Sequence, residues 1–125
     1  MAPRPALSTI DQRLVGERAV VEVTLTALHS QYRGRAEGDG GPAHRDRLVG
    51  EATLRAVRNL SPDLALDLSA VGSSDLGNLR VALAQVHQNG SELVGSAIVR
   101  GGDPAVATAK AVLDAVNRLL DRPIS

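Results

Sequence analysis

Three histidines, fourteen carboxylates and no cysteine are all that this 125-residue chain offers to acid–base, metal or nucleophilic chemistry. The missing cysteine removes thiolate nucleophiles, disulfides and Cys-based zinc sites. His29 and His87 close two similar strand patterns, VTLTALH and VALAQVH. A pair related by an internal repeat has the residue type for a metal or a pH-sensitive site. The same pair also reads as two polar strand ends, with His87 opposite Glu92. Asp63 and Asp67 border or lie in one strand, as carboxylates of a solvated edge do. No GxSxG occurs, and nothing in the spacing brings a serine, a histidine and an acid together.

The tripeptide HRD, His44 to Asp46, repeats part of a protein-kinase catalytic loop, but the accompanying lysine strand, the DFG motif and sufficient chain length are missing. GDGG and RGGD lack the Gly-Lys-Ser/Thr ending of a phosphate-binding loop. Their position is more informative, because each precedes a helix. Helix N-termini present unpaired amides and the positive end of the dipole, where a carboxylate or phosphate binds. The candidate ligand-binding residues are therefore Gly38, Asp39, Gly40 and Gly41 in one loop and Gly101, Gly102 and Asp103 in the other. Ordinary strand-to-helix connections use the same glycines. No catalytic or metal-ligating set and no cofactor is expected.

Periodicity and turn residues define the elements that position these loops. Strands are expected at Leu7–Val15, Ala19–Leu28 and Tyr32–Glu37, then a helix over Ala43–Leu60. After the SPD break come strands at Leu64–Val71, Leu79–Gln88 and Ser91–Arg100, and a second helix from Pro104 to about Asp121. Asp103 caps that helix and Pro104 opens it without losing a hydrogen bond. The order is βββα followed by βββα, an α+β class with two antiparallel sheets, each covered by one helix.

That order is written twice in the residues themselves. Placing Ala52 over Ala111 superposes ATLRAVRNL on AVLDAVNRL and matches four apolar positions of one helical stripe. Val23–His29 falls over Val81–His87, and Gly34 and Gly95 each interrupt a strand-like run. Residues 1–5 read as a flexible tail and 6–125 as one domain of two repeats, about 6–61 and 62–122. The single aromatic residue, Tyr32, leaves the core to Leu, Val, Ile and Ala.

Asn89-Gly90 signals a two-residue hairpin, since both central residues of a type I′ turn need positive φ. Gln88 then pairs with Ser91, and Ala82, Ala84, Val86, Leu93, Gly95 and Ala97 share one side of the ribbon. Val81, Leu83, Val94 and Ile98 take the other. The bulkier side suits the covering helix, and the small, flat side suits a second subunit. The expectation is a homodimer through the small-residue face.

YRGRAEG and VGSAIVRGGDPAVATAKAVLDAVNRLL resemble the strand, Gly-rich loop and helix of the C-terminal regulatory domain of 2-isopropylmalate synthases, also built of two βββα halves. The likeness covers most of the chain. It implies a stand-alone regulatory or interaction module, a dimer, and a small-molecule effector such as the amino acid leucine bound near the interface. From Ala43 onward the α-β-β-β-α order also resembles a double-stranded-RNA-binding domain, with AKAVLDAV like its second helix. That family clusters lysines at the helix start, where this chain has Asp103 and, farther on, its single lysine, Lys110.

Fourteen basic against fourteen acidic residues give no net charge. The two sides of Ser61 hold nine and seven, then five and seven. Nucleic acid is therefore not the expected partner. No apolar run reaches membrane-spanning length and the N-terminus lacks a signal-peptide core, so a cytoplasmic, non-enzymatic protein away from membranes is expected.

Overall fold

A computed structural model of the chain describes residues 4–101 and 103–120. The elements are β1 (Ala6–Val15), β2 (Arg18–Ala27), β3 (Ser30–Asp39), α1 (Pro42–Leu60), β4 (Asp67–Leu76), β5 (Leu79–Gln88), β6 (Ser91–Ile98) and α2 (Pro104–Leu120). They form two antiparallel three-stranded sheets, β1-β2-β3 and β4-β5-β6, each followed by its helix. The two βββα units expected from the repeat are present. Gly102 and Asp121 lie outside the described residues.

α1 lies on β2 and β3, touches α2 and reaches across to β4, while α2 lies on β5 and β6 and reaches back to β1. The helices thus form an inner layer between the two sheets. That placement explains why α1 is buried over most of its circumference, from Leu48 through Gly50, Ala52 and Leu54 to Val57. Thr53, fully buried, satisfies its hydroxyl by donating to Val49 O at 2.7 Å.

Small residues make the layers thin. A Cβ on Gly34 would stand 2.0 Å from Ala52 O and 2.3 Å from Ala56 N, and one on Gly95 would stand 2.1 Å from Ala111 O and 2.3 Å from Ala115 N. Each helix therefore rides directly on a glycine of its sheet. This contact overturns the expected choice of faces. α2 covers the small side, burying Ala82, Ala84, Val86 and Gly95, with Leu93 and Ala97 packed against the same core. The bulkier side, Val81, Leu83, Val94 and Ile98, is left outward. The helix takes the small face because only there can its backbone approach closely enough to leave no void.

Strand registers set the true correspondence between halves. β2 and β5 are 61 residues apart, Arg18 matching Leu79 and Ala27 matching Gln88, whereas the helices are 59 apart, Ala52 matching Ala111. The first strands even share an irregularity, a register shift at Leu7/Thr9 and at Leu68/Ala70. His29 and His87 are consequently not equivalents. His29 stands in the β2–β3 turn at the place equivalent to Gly90 of the β5–β6 turn, and His87 matches Thr26. β4 also departs from expectation, running three residues later and farther along the chain. Leu64 N donates to Ser61 O in the turn after α1, and the Gly72-Ser73-Ser74 stretch pairs with Leu83, Ala82 and Val81 instead of forming a loop.

The two β-turns compare good and poor chemistry at one conformation. Asn89 and Gly90 have φ of 48° and 81°, as the type I′ turn requires, and Gln88 pairs with Ser91 as expected. Leu28 and His29 adopt φ of 50° and 66° at the equivalent turn, a region that costs such residues about 1–2 kcal/mol each. Replacing Leu28 by Asn and His29 by Gly is expected to stabilise the chain by about 1–2 kcal/mol, read as a higher urea midpoint at unchanged slope.

Helix side chains close the outer rims of both sheets. Arg55 Nη1 donates to Arg35 O at 2.6 Å and Asn59 Nδ2 donates to Arg33 O, on the rim of β3. At the matching positions of α2, Asp114 Oδ2 accepts from Ser96 N at 2.9 Å and Arg118 Nε donates to Val94 O at 3.0 Å, on β6. Arg58 Nη2 reaches Leu66 O at 2.6 Å and Arg47 Nη2 reaches Leu68 O at 3.0 Å, covering the start of β4. No helix of the described residues is long and apolar enough to cross a membrane.

Candidate functional site

The two pre-helix loops spend their polar groups on themselves. Gly38 belongs to β3, where a Cβ would press on Leu48. Asp39 Oδ1 accepts from Gly41 N at 2.8 Å, Gly40 N donates to Glu17 O at 2.9 Å, and Gly41 is the N-cap of α1. In the second loop Gly101 turns with φ of 66°, and Asp103 Oδ1 accepts from Ala105 N at 3.0 Å, the expected capping bond. The amides that would hold an anion are thus engaged at Gly40, Gly41 and Ala105. Gly102 lies outside the described residues.

Beneath the first turns of the helices sit two cavities at equivalent places in the halves. The first, about 160 Å³, is lined by Gln12, Arg13, Ala19 and Arg45. The second, about 290 Å³, is lined by Asp46, Ser73, Arg80 and Thr108 among others. Arg80 Nη2 is held by Ser73 Oγ at 3.0 Å. The HRD tripeptide contributes Asp46 to this second cavity and stands at the start of α1.

His87 Nδ1 lies 3.2 Å from Glu92 Oε1, and Ser69 Oγ donates to Glu92 Oε2 at 3.2 Å. A serine, a histidine and an acid therefore do meet, which sequence spacing did not reveal because the register shift at Leu68/Ala70 brings Ser69 into reach. The carboxylate sits between the other two. Proton abstraction needs the base against the hydroxyl, so this order gives Ser69 no base. Among the described residues no group of three or more His, Cys, Asp or Glu could hold a metal ion.

What distinguishes the molecule is its pair of outer sheet faces. Register pairs place Asp11, Glu22 and Arg35 in one row of the first sheet's outer face, with Arg13, Val20 and Glu37 in the next. The same rows of the second sheet carry Gly72, Leu83 and Ser96, then Ser74, Val81 and Ile98. In these rows the fold, used twice, shows charge on one outside and none on the other, whereas the row at the far end reverses the contrast, with Asp67, His87 and Glu92 against Ala6, Thr26 and Gln31. Val94 is 55% exposed and Ile98 40%, and the stripe runs on to Leu76 and Leu79 at the β4–β5 turn. Ser69, His87 and Glu92 bound it at the far end.

An uncharged centre with a polar border has the composition of a protein–protein contact surface. Within it, Ala70 and Gly72 leave a hollow of about 310 Å³ walled by Leu83, Gln85 and Val94. The hairpin register alone groups Val81, Leu83, Val94 and Ile98 on one side of the ribbon. Side-chain bulk favours that side for the helix, but closeness of approach at Gly95 gives the helix the other. No protein-family model and no curated protein matches the chain, so its function is read from its own geometry.

Proposed function

We propose that the chain is a non-catalytic interaction module that works by burying the outer face of its second sheet against another protein surface. One observation carries the reading: equivalent positions of a duplicated fold hold Glu22, Arg35 and Glu37 on one outside and Leu83, Ser96 and Ile98 on the other. A bare sheet surface gains nothing from shedding charge, since charged side chains keep a monomer soluble and its edges unsociable. A surface that is dehydrated on binding gains from it, because buried unpaired charge is costly.

Fractionation of a lysate from cells making the tagged chain tests the proposal. The wild-type chain is expected well above its own 13.0 kDa. Leu83→Glu with Val94→Glu is expected at the chain mass, because the fold already carries Glu22 and Arg33 at the equivalent places. Glu22→Gln, on the charged outside, should leave the wild-type profile unchanged. A wild-type chain that elutes at its own mass in the lysate removes this reading.

A further inference from the structure

We propose that β1 is a docking edge: an extended acidic segment of another protein joins the first sheet as a fourth strand, in the groove between β1 and α2. This site is separate from the second sheet's outer face. The duplicated fold shows what the edge lacks. On α1, Arg47 Nη2 donates to Leu68 O and Arg58 Nη2 to Leu66 O, so the start of β4 is closed by the helix beside it. Helix positions 59 apart and strand positions 61 apart are equivalent, which sets Val106 and Asn117 of α2 against Leu7 and Pro5 of the first sheet. Val106 has no donor, and the buried side-chain oxygen of Asn117 has no hydrogen-bond partner. Where α1 closes the gap, α2 leaves a groove of about 370 Å³ walled by Pro5, Leu7, Lys110, Leu113 and Asn117.

An orphaned acceptor is a cost that a bound donor removes. A turn of the Asn117 amide about its soft terminal torsion presents the oxygen to an N–H laid in the groove. β1 offers the matching row. Val15 and Arg18 flank the two-residue turn Gly16-Glu17 and so form a hydrogen-bonded pair. Alternation then aims the N–H and C=O of Leu14, Gln12 and Ile10 away from β2, at the free edge. A strand added there takes its affinity from main-chain bonds and its specificity from alternate side chains. Those turned inward meet Leu7 and Leu113. Lys110, the chain's single lysine, is exposed and in no ion pair among the described residues, whereas Asp114 is engaged by Ser96 N and Arg118. The open charge of the groove is therefore positive, and the segment that fits it carries a carboxylate among alternating apolar residues.

Panning a phage-displayed library of random octapeptides on the purified full chain tests the proposal. Selected peptides are expected to alternate apolar and polar residues around an acid and to bind with a micromolar dissociation constant. Hydrogen exchange reads the added strand directly. With peptide at about 100 times its dissociation constant, the amides of Ile10, Gln12 and Leu14 should slow about 100-fold, while those of Asp11 and Arg13, already bonded to β2, should not change. Gln12→Pro removes a free-edge N–H and no bond to β2, and should weaken binding about 30-fold or more. Asp75→Pro, the same change on the free edge of β4, should leave binding unaltered. Lys110→Glu should weaken the acidic peptides about 10-fold and select basic ones in their place. The exchange pattern decides the matter should Gln12→Pro fail to fold. Panning that yields no peptide, or peptides that leave the three amides unprotected, overturns the docking edge. Peptides released by Leu83→Glu and not by Gln12→Pro would occupy the second sheet's outer face, which overturns the docking edge and leaves the interaction reading above standing.

Discussion

Gly95→Ala is expected to destabilise the chain by about 3 kcal/mol or more, at the upper end of overpacking costs. The added methyl would stand 2.1 Å from Ala111 O and 2.3 Å from Ala115 N, both backbone atoms that no side-chain rotation can move aside. α2 would have to lift from β6 along its length, opening the contacts of Ala107, Ala111 and Ala115 with the sheet. It would also strain the bonds that Asp114 and Arg118 make to the β6 rim. Gly34→Ala meets the same obstacle at Ala52 and Ala56, so the two variants should fall together. In thermal denaturation, a loss of this size lowers the midpoint by about 10 °C or more in a chain of this length. Gly72→Ala, whose methyl meets open space, is the control and should stay within about 0.5 kcal/mol of wild type under dilute conditions. Equal melting of Gly95→Ala and Gly72→Ala would mean that helix and sheet are not in direct contact.

Truncating Leu54 is the second large effect. Leu25 and Leu54 are the bulkiest fully buried side chains, in a core with no Phe or Trp. Leu54 lies on the inner-layer helix α1, in a core whose buried residues are mostly alanines and valines. Such short neighbours cannot swing into the space it leaves, so the void persists and its cost adds to the lost transfer energy. Leu54→Ala is expected to cost about 3–4 kcal/mol, within the range of leucine truncations in poorly collapsing sites. Leu14→Ala, 58% exposed on β1, should change stability by less than about 0.5 kcal/mol. Urea titration reads both, and a Leu54→Ala midpoint indistinguishable from that of Leu14→Ala would place Leu54 outside the core.

The arrangement of strands and helices was largely legible because period and punctuation are local. Asn89-Gly90 fixed the β5–β6 register down to the pairing of Gln88 with Ser91, and Asp103-Pro104 marked the start of α2 with its capping bond. Two things are not legible. Leu28-His29 carries no turn signature, since Leu disfavours positive φ and no glycine follows it, and without that turn the strand patterns align three residues out of step, which makes His29 and His87 look equivalent. The choice of buried face escaped for a different reason. Sequence shows which residues share a side of a ribbon, but the distance of approach between a helix and a sheet depends on backbone contact, and here Gly95 settles it. The candidate surface was therefore named residue by residue while its orientation was reversed. Gly40, Gly41 and Gly101 remain in the connections where sequence placed them, with nearby amides engaged in caps and turns, whereas Gly38 and Asp39 belong to β3.

The side chains that α1 and α2 lay across the rims of β3 and β6 bear on how the molecule fails under heat or crowding. Cross-β growth begins where a strand offers unclaimed amides and carbonyls to a foreign chain. On β3 and β6 those groups are held at Arg33, Arg35, Val94 and Ser96, so recruitment there must first evict a guanidinium, an amide or a carboxylate. Precipitation is thereby channelled to the opposite flanks, β1 and the stretch of β4 beyond Ala70, and a single proline in either flank would blunt it without touching the buried helices.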